Sequence, residues 1–450
     1  MKKLLAAILV LVMALSLCSV SWAAETKETS ITLDEFIKAL NVDEDTKSID
    51  FDGADSEKAV NGKLTVKWSP VSGCFDDRSG HTCSVGNVKA TGNTPTSINS
   101  KLAQYYEFHG LVDVTISNVN FVYEAKDFTI CANYNEISKA WAANEIKTAQ
   151  FYMRNSGNTT IIDCSFDNVV FTSFDNTGAT TVMGCTFKNM YNTYAIKDLG
   201  GSSVTVTGCS FENCSGAIMT NSNPERKDIE TKEININYNQ FENIDVANTA
   251  PSDKVGTRGI IQIAANTKLT EATAIQLDGN STENCGPVLR LEQEGFNIAK
   301  ITGDLSGLLN EEEKLSTTEG SKAVTMPEMV TITFVVDENE KFEAKVVKGT
   351  KYAPIPMADE ETHGTFKGWK DANNSMVESV TATADMTLTA VWEKNSTPST
   401  GGYYYYDPTT DTKTDDTKGS PKTFDVGIGI YAVTAVLSAT GMAWTARKRH

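Results

Sequence analysis

Histidine is nearly missing from this chain: His81, His109, His363 and His450 are all there is. That scarcity leaves little material for histidine-based metal sites or for the commonest acid–base pairs. No Gly-rich phosphate loop, no His-Glu-x-x-His pair and no nucleophile elbow occurs. Basic charge is short as well, with 40 Lys and Arg against 58 Asp and Glu and a net charge of -18. A nucleic-acid partner needs a basic footprint to release phosphate counterions, so that class is excluded. What remains is a self-repelling chain of 450 residues, long enough for two or three domains with real cores.

Long apolar runs stand at the two ends. Lys2 and Lys3 precede the run from Leu4 to Leu17, and Ser21-Trp22-Ala23 forms a small-x-small cleavage site. Residues 1–23 therefore read as a secretory signal peptide. Cys18 follows Leu17 rather than a small residue, so ordinary secretion is favoured over lipidation. At the other end Val426 to Ala446 is uncharged and long enough to cross a bilayer. Arg447, Lys448 and Arg449 follow it as a clamp that stays cytoplasmic. Just before the run stands Ser420-Pro421-Lys422-Thr423-Phe424-Asp425. In this order the three parts resemble a Gram-positive cell-wall sorting signal. Pro421 and Thr423 match its pentapeptide, while Ser420 and Phe424 replace leucine and glycine. The resemblance implies that a sortase attacks the Thr423 carbonyl and joins the chain to the wall. A plain membrane anchor is the other reading, and both place the protein on the extracellular face.

Between the ends a phrase recurs: TTIIDCSFDN, TTVMGCTFKN and VTVTGCSFEN. Aligned on Phe166, Phe187, Phe211 and Phe241, the steps are 21, 24 and 30 residues. Thr282 takes the aromatic place in a fifth copy, and Phe121 marks an earlier one, a double step before Phe166. Asn168, Asn189, Asn213, Asn243 and Asn284 stand two positions after the slot. Cys164, Cys185, Cys209, Asn239 and Asn280 stand two before it, and Ile161, Val182, Val206, Ile236 and Leu277 five before it. A helical period cannot hold such columns across spacers of changing length, whereas stacked strands can. Two or three short strands per turn predict a parallel β-helix whose aromatics stack inside. Gly184, Gly208 and Gly279 suit a bend of positive φ, and bend asparagines suit an amide ladder. The fold resembles the right-handed pectate-lyase-like β-helices.

The predicted class is all-β. Residues 24–49 are the N-terminal cap, where Thr32 and Glu35 form a capping box ahead of Phe36, Ile37 and Leu40. The β-helix spans 50–307 and an acidic linker 308–328. Strand alternation then runs through Val330–Phe334 and Met386–Trp392. Gly349, Tyr352, Pro354, Pro356, Phe366, Gly368, Trp369, Ala390 and Trp392 make 329–394 resemble an internalin-B-type (Listeria–Bacteroides) repeat. That resemblance implies a stalk or spacer. Residues 395–419 are a polar tether unable to bury a core, and 420–450 hold the sorting motif, transmembrane helix and basic tail.

Chemistry is sparse. Cys164, Cys185 and Cys209 read as small inward apolar residues. Cys214 and Cys285 share a column two rungs apart, about 9.6 Å, beyond the ~7 Å reach of a disulfide. Cys74 and Cys83 flank FDDRSGHT and form the candidate disulfide. Inside that loop Asp76, Asp77, Arg78 and His81 are the one compact polar cluster, set before the regular rungs. They are the weak catalytic candidates, as an acid–base pair with helpers. No cofactor is expected, and the sequence leaves calcium open. The reading that follows is a surface-anchored, non-catalytic binding or adhesion protein contacting glycans or matrix proteins. A wall-bound polysaccharide lyase or glycosidase is the alternative, and a purely structural wall protein the third.

Overall fold

The computed structural model describes residues 29–32, 35, 36, 39, 40, 48–68, 103–108, 113–123 and 148–153. Of 157–393 it describes all but 168–170, 175–176, 191–193, 222, 225–226, 248, 251–254, 294–300, 323–327, 354–357 and 359–363. The chain divides into two compact units, 1–301 with 307–326, and 302–306 with 327–450.

The first unit is made of three long parallel sheets, of eight, eight and seven strands. The first sheet holds Ser48–Asp52, Asp113–Ser117, Asn158–Ile162, Ala179–Met183, Ser203–Thr207, Glu233–Asn237, Ala274–Gln276 and Ile301–Thr302. The second holds Ser30–Thr32, Leu64–Trp68, Val119–Tyr123, Ser165–Asp167, Thr186–Lys188, Ser210–Glu212, Gln240–Glu242 and Ser281–Glu283. The third runs from Ala103–Phe108 through Thr148–Met153, Phe171–Phe174, Ile196–Leu199, Ile218–Thr220 and Ile261–Ile263 to Leu289–Leu291. From Ser48 onward the chain visits the three in rotation, one strand each, so each circuit adds one rung to all of them. Stacked parallel sheets of this kind are consistent with the expected β-helix.

The alternation of β-branched and polar residues fixes which side chains enter the core. Phe121, Phe166, Phe187, Phe211 and Phe241 lie in strict register, with Thr282 next in line. Their rings stack at 4.9–5.2 Å between centroids, and all five are buried. Beside them Ile116, Ile161, Val182, Val206 and Ile236 form a second buried column. Phe121 is the direct neighbour of Phe166, which corrects the double step: no rung lies between them. The extra residues, 124–147, fall between the second-sheet strand Val119–Tyr123 and the third-sheet strand Thr148–Met153. Step length therefore records the size of a connection rather than a number of rungs.

At the N-terminal end the capping box is formed. Thr32 N–H donates to Glu35 Oε2 at 2.7 Å, and Glu35 N–H donates back to Thr32 Oγ1 at 3.2 Å. These bonds hold the Glu35 carboxyl below its usual range. Glu35, Phe36 and Ala39 are helical, and Phe36 is fully buried edge-on against Phe51 and Phe121. At the far end residues 307–326 belong to this unit instead of standing free. Leu308 and Leu315 are buried, and Thr318 N–H donates to Leu289 O. The acidic run Glu311–Glu313 sits in a turn between those leucines.

The second unit is a five-stranded sheet in the order Lys341–Val347, Met329–Val335, Met386–Glu393, Thr365–Lys370, Met376–Val377. Lys351–Tyr352 and Val380–Thr381 form a separate pair. Its core is aromatic: Phe334 stacks on Phe342, Trp369 packs edge-on against Phe334 and Phe366, and Trp392 Nε1 donates to Val336 O. Gly368, at φ 126°, lies in the irregular pairing between this strand and Met386–Glu393. Among the described residues no helix is long and apolar enough to cross a membrane. Val426 to Ala446 lie outside them.

Candidate binding surface

Two columns organise the bends that carry the surface, one a half-exposed asparagine ladder and the other a buried row of thiols and amides. Asn189, Asn213, Asn243 and Asn284 all adopt positive φ, between 48° and 56°. Asparagine tolerates that region better than most residues, which accounts for the repeated choice. Their amides run as a chain: Asn189 Nδ2 donates to Asp167, Asn213 to Asn189, Asn243 to Asn213 and Asn284 to Asn243. Each backbone N–H of the first three meanwhile donates to the next rung, at Glu212, Glu242 and Glu283. Asn168 lies outside the described residues. Asn213→Ala should cost about 1–3 kcal/mol, because it breaks two ladder links and replaces a residue that tolerates the left-handed region by one that does not. Asn213→Gly keeps the backbone and should cost less; urea denaturation of the two variants separates the terms.

The other column changes chemistry midway. Cys164, Cys185 and Cys209 direct Sγ at the carbonyls of Ile116, Ile161 and Val182 one rung back. Asn239 and Asn280 send Nδ2 to Val206 O and Ile236 O in the same relation. Thiol and amide thus serve the same carbonyl row, the thiol as a weak donor. Burial pushes the Cys164 and Cys185 thiols well up and raises Cys214 to about 12 and Cys285 to about 11. All five cysteines named here are free. Since thiolate is the reactive form, alkylation of the folded protein at pH 8 should reach the half-buried Cys285 before the buried four. Peptide mass mapping checks that order.

The outward face of the second sheet is polar and in register. One row reads Asp167, Lys188, Glu212, Glu242 and Glu283. Lys188 Nζ pairs with Glu212 at 2.6 Å, and that carboxylate raises the Lys188 pKa. A parallel row reads Asn120, Ser165, Thr186, Ser210, Gln240 and Ser281.

Within the three-sheet stack the three longest connections, 69–102, 124–147 and 243–260, all join a second-sheet strand to a third-sheet strand. The last of them is latched. Asp245, itself buried at φ 56°, accepts Gly256 N–H on Oδ1 at 3.0 Å. Its Oδ2 accepts Arg258 N–H at 2.9 Å and Gly259 N–H at 2.8 Å. Tyr194 donates its hydroxyl to Arg258 O, and Arg290 Nη1 donates to Thr257 O while pairing with Glu292. Burial raises the pKa of both Tyr194 and Asp245. Sequence reasoning missed this latch; its only signal was an aspartate two residues after a bend asparagine with Gly256 and Gly259 downstream.

Asp76, Asp77, Arg78 and His81, with Cys74 and Cys83, lie outside the described residues. Their segment falls between the strands Leu64–Trp68 and Ala103–Phe108, hence within a circuit of the stack rather than before it. Pro421 and Thr423 also lie outside. Among the described residues no group of three or more His, Cys, Asp or Glu side chains is placed to hold a metal ion.

A family model described as adenovirus EB1 55K protein / large t-antigen matches residues 88–235, about a third of the chain. The matched stretch covers the middle rungs of the stack, and it is neither of the two families the sequence resembles. No curated protein matches the chain significantly, and no solved structure does.

Proposed function

We propose that this chain is a surface-anchored, non-catalytic binding or adhesion protein whose first unit is a right-handed, pectate-lyase-like parallel β-helix. The observation that carries the reading is that the three longest connections within the stack all follow strands of the second sheet, whose outward face is polar and in register. In repeat architectures insertions on one edge, held by a rigid stack, are where partners are contacted. The second unit is then the internalin-B-type spacer, and 395–419 the tether that carries both away from the wall. Thr423 is the sorting acyl donor, with Pro421 presenting it; a wall-released peptide ending at Thr423 tests that anchorage by mass.

The ligand is an extracellular glycan or matrix protein. Glu212, Glu242 and Glu283 line the face in a chain of net charge -18, which disfavours polyanionic substrates such as pectate. The test is incubation of the full chain with pectin, alginate, chondroitin sulfate, mucin glycans and matrix proteins. Retention of a ligand without product is the expected result. Product formation that disappears in Asp76→Asn or Asp77→Asn overturns the reading in favour of an enzyme.

A further inference from the structure

One bend position carries a residue that its neighbours argue against. Three places before the aromatic slot stand Asn118, Asp163, Gly184, Gly208, Tyr238 and Gly279, all at φ between 51° and 62°. Five of the six are residues that accept this backbone readily, and Tyr238 is not. Its side chain is nevertheless fixed. The ring lies on Gly279, where an added Cβ would come within 2.5 Å of ring Cδ1. The hydroxyl donates to Asp278 Oδ2 at 2.5 Å, and Tyr238 N–H donates to Asp278 O at 2.8 Å. Asp278 is buried and its own N–H is held by Asn237 Oδ1, while Asn237 Nδ2 donates to Gln276 Oε1. Even so, Tyr238 is 45% exposed, one of the few large apolar side chains so open to solvent among the described residues. On the side away from Gly279 the same column holds Gly208, and beyond it Gly184, where the Asp163 carboxyl takes the place a Cβ would have. The glycine lane beside the ring is therefore one rung deep, about 4.8 Å.

We propose that Tyr238 and the glycine lane beside it form a stacking subsite for a neutral pyranose of a glycan, a proposal that rests on the binding reading above. A rigid aromatic face offers the C–H face of a sugar ring apolar contact without ordering cost on the protein side. Thr207 and Asn237 border the lane on one side, Ser210 and Gln240 on the other, and these supply donors and acceptors for hydroxyls. The sugar is neutral because Glu212 and Glu242 stand two residues beyond that border, in a strongly acidic chain.

The experiment uses the full chain with cellohexaose and mannohexaose as neutral probes, and polygalacturonate and chondroitin sulfate as acidic ones. Affinity is read by titration calorimetry, and ring contact by saturation transfer to tyrosine protons. The variants are Tyr238→Gly, which fits the backbone, and Tyr238→Phe, which keeps the ring. Binding of a neutral probe that falls at least about tenfold in Tyr238→Gly, with the variant still folded by circular dichroism, and survives in Tyr238→Phe supports the subsite. Equal binding by wild type and Tyr238→Gly overturns it while leaving the binding reading in place. Preference for the acidic probes, or binding of peptides alone, overturns the neutral-sugar assignment. Failure of every glycan and matrix protein in the wider panel removes both readings together.

Discussion

Replacing Phe187 by alanine should lower the stability of the first unit by about 3–5 kcal/mol, through lost burial and the cavity left behind. The ring is fully buried between Phe166, at 5.2 Å, and Phe211, at 4.9 Å, both within 8° of parallel. Its rung cannot collapse onto the gap, because backbone hydrogen bonds to the rungs on either side fix the strand spacing. The void therefore strips contact from two rings at once. Phe241 provides the internal comparison, with Phe211 on one side and only Thr282 on the other. Phe241→Ala should thus cost less than Phe187→Ala. Equilibrium unfolding in urea measures both. An unchanged midpoint for Phe187→Ala would mean that the column does not hold the core.

Asp245→Ala should be comparably damaging, at about 3 kcal/mol or more, by a different route. Three backbone N–H groups, of Gly256, Arg258 and Gly259, lose their acceptor together, and each unsatisfied donor costs about 1–3 kcal/mol where water cannot reach it. The loss is local first: amide exchange at 256, 258 and 259 should accelerate before the Phe ladder is affected. Acidity adds a second signature. Burial holds the Asp245 carboxyl above the usual aspartate range, ahead of the lowering by its backbone donors. The unfolded chain then gives up this proton first. The contribution of the group is complete below the ordinary aspartate pKa and shrinks as pH rises through the folded value. The alanine variant should lack that slope, which lies just above the ordinary aspartate pKa. Protection of the three amides that matches wild type would rule out the latch.

Much of the rung pattern was legible because each copy repeats residue types demanded by position. Phe in the slot, asparagine two later and a β-branched residue five earlier are enough to place the first and second sheets. Even Thr282, a polar residue in an aromatic column, is found from its flanking Asp278-Gly279-Asn280 and Asn284. The third sheet has no such phrase. Strands such as Ile196–Leu199 and Ile261–Ile263 share little beyond apolar character, so their register follows from the coordinates alone. Two other features escaped for electrostatic and steric reasons. The run Glu311–Glu313 reads as solvent-loving linker, yet the anchoring is done by Leu308 and Leu315 on either side. Tyr238 breaks a column of glycine, asparagine and aspartate, and an outlier in one copy is invisible to any search for what copies share. The candidate surface was less legible still, because loops such as 243–260 are held by contacts far apart in sequence.

The uneven connections have an evolutionary corollary. Since 21 residues suffice to pass from Phe166 to Phe187, while 45 separate Phe121 from Phe166 at the same ring spacing, loop growth and rung number are independent variables. A gene segment encoding one full circuit can be duplicated or lost, and the neighbours on either side meet equivalent partners again. Each such event changes the reach of the molecule by one fixed increment, about 4.8 Å. Loop insertions meanwhile alter what is presented without altering reach. Lineages carrying this architecture should accordingly differ in copy number by whole circuits, and in sequence mostly at a single edge.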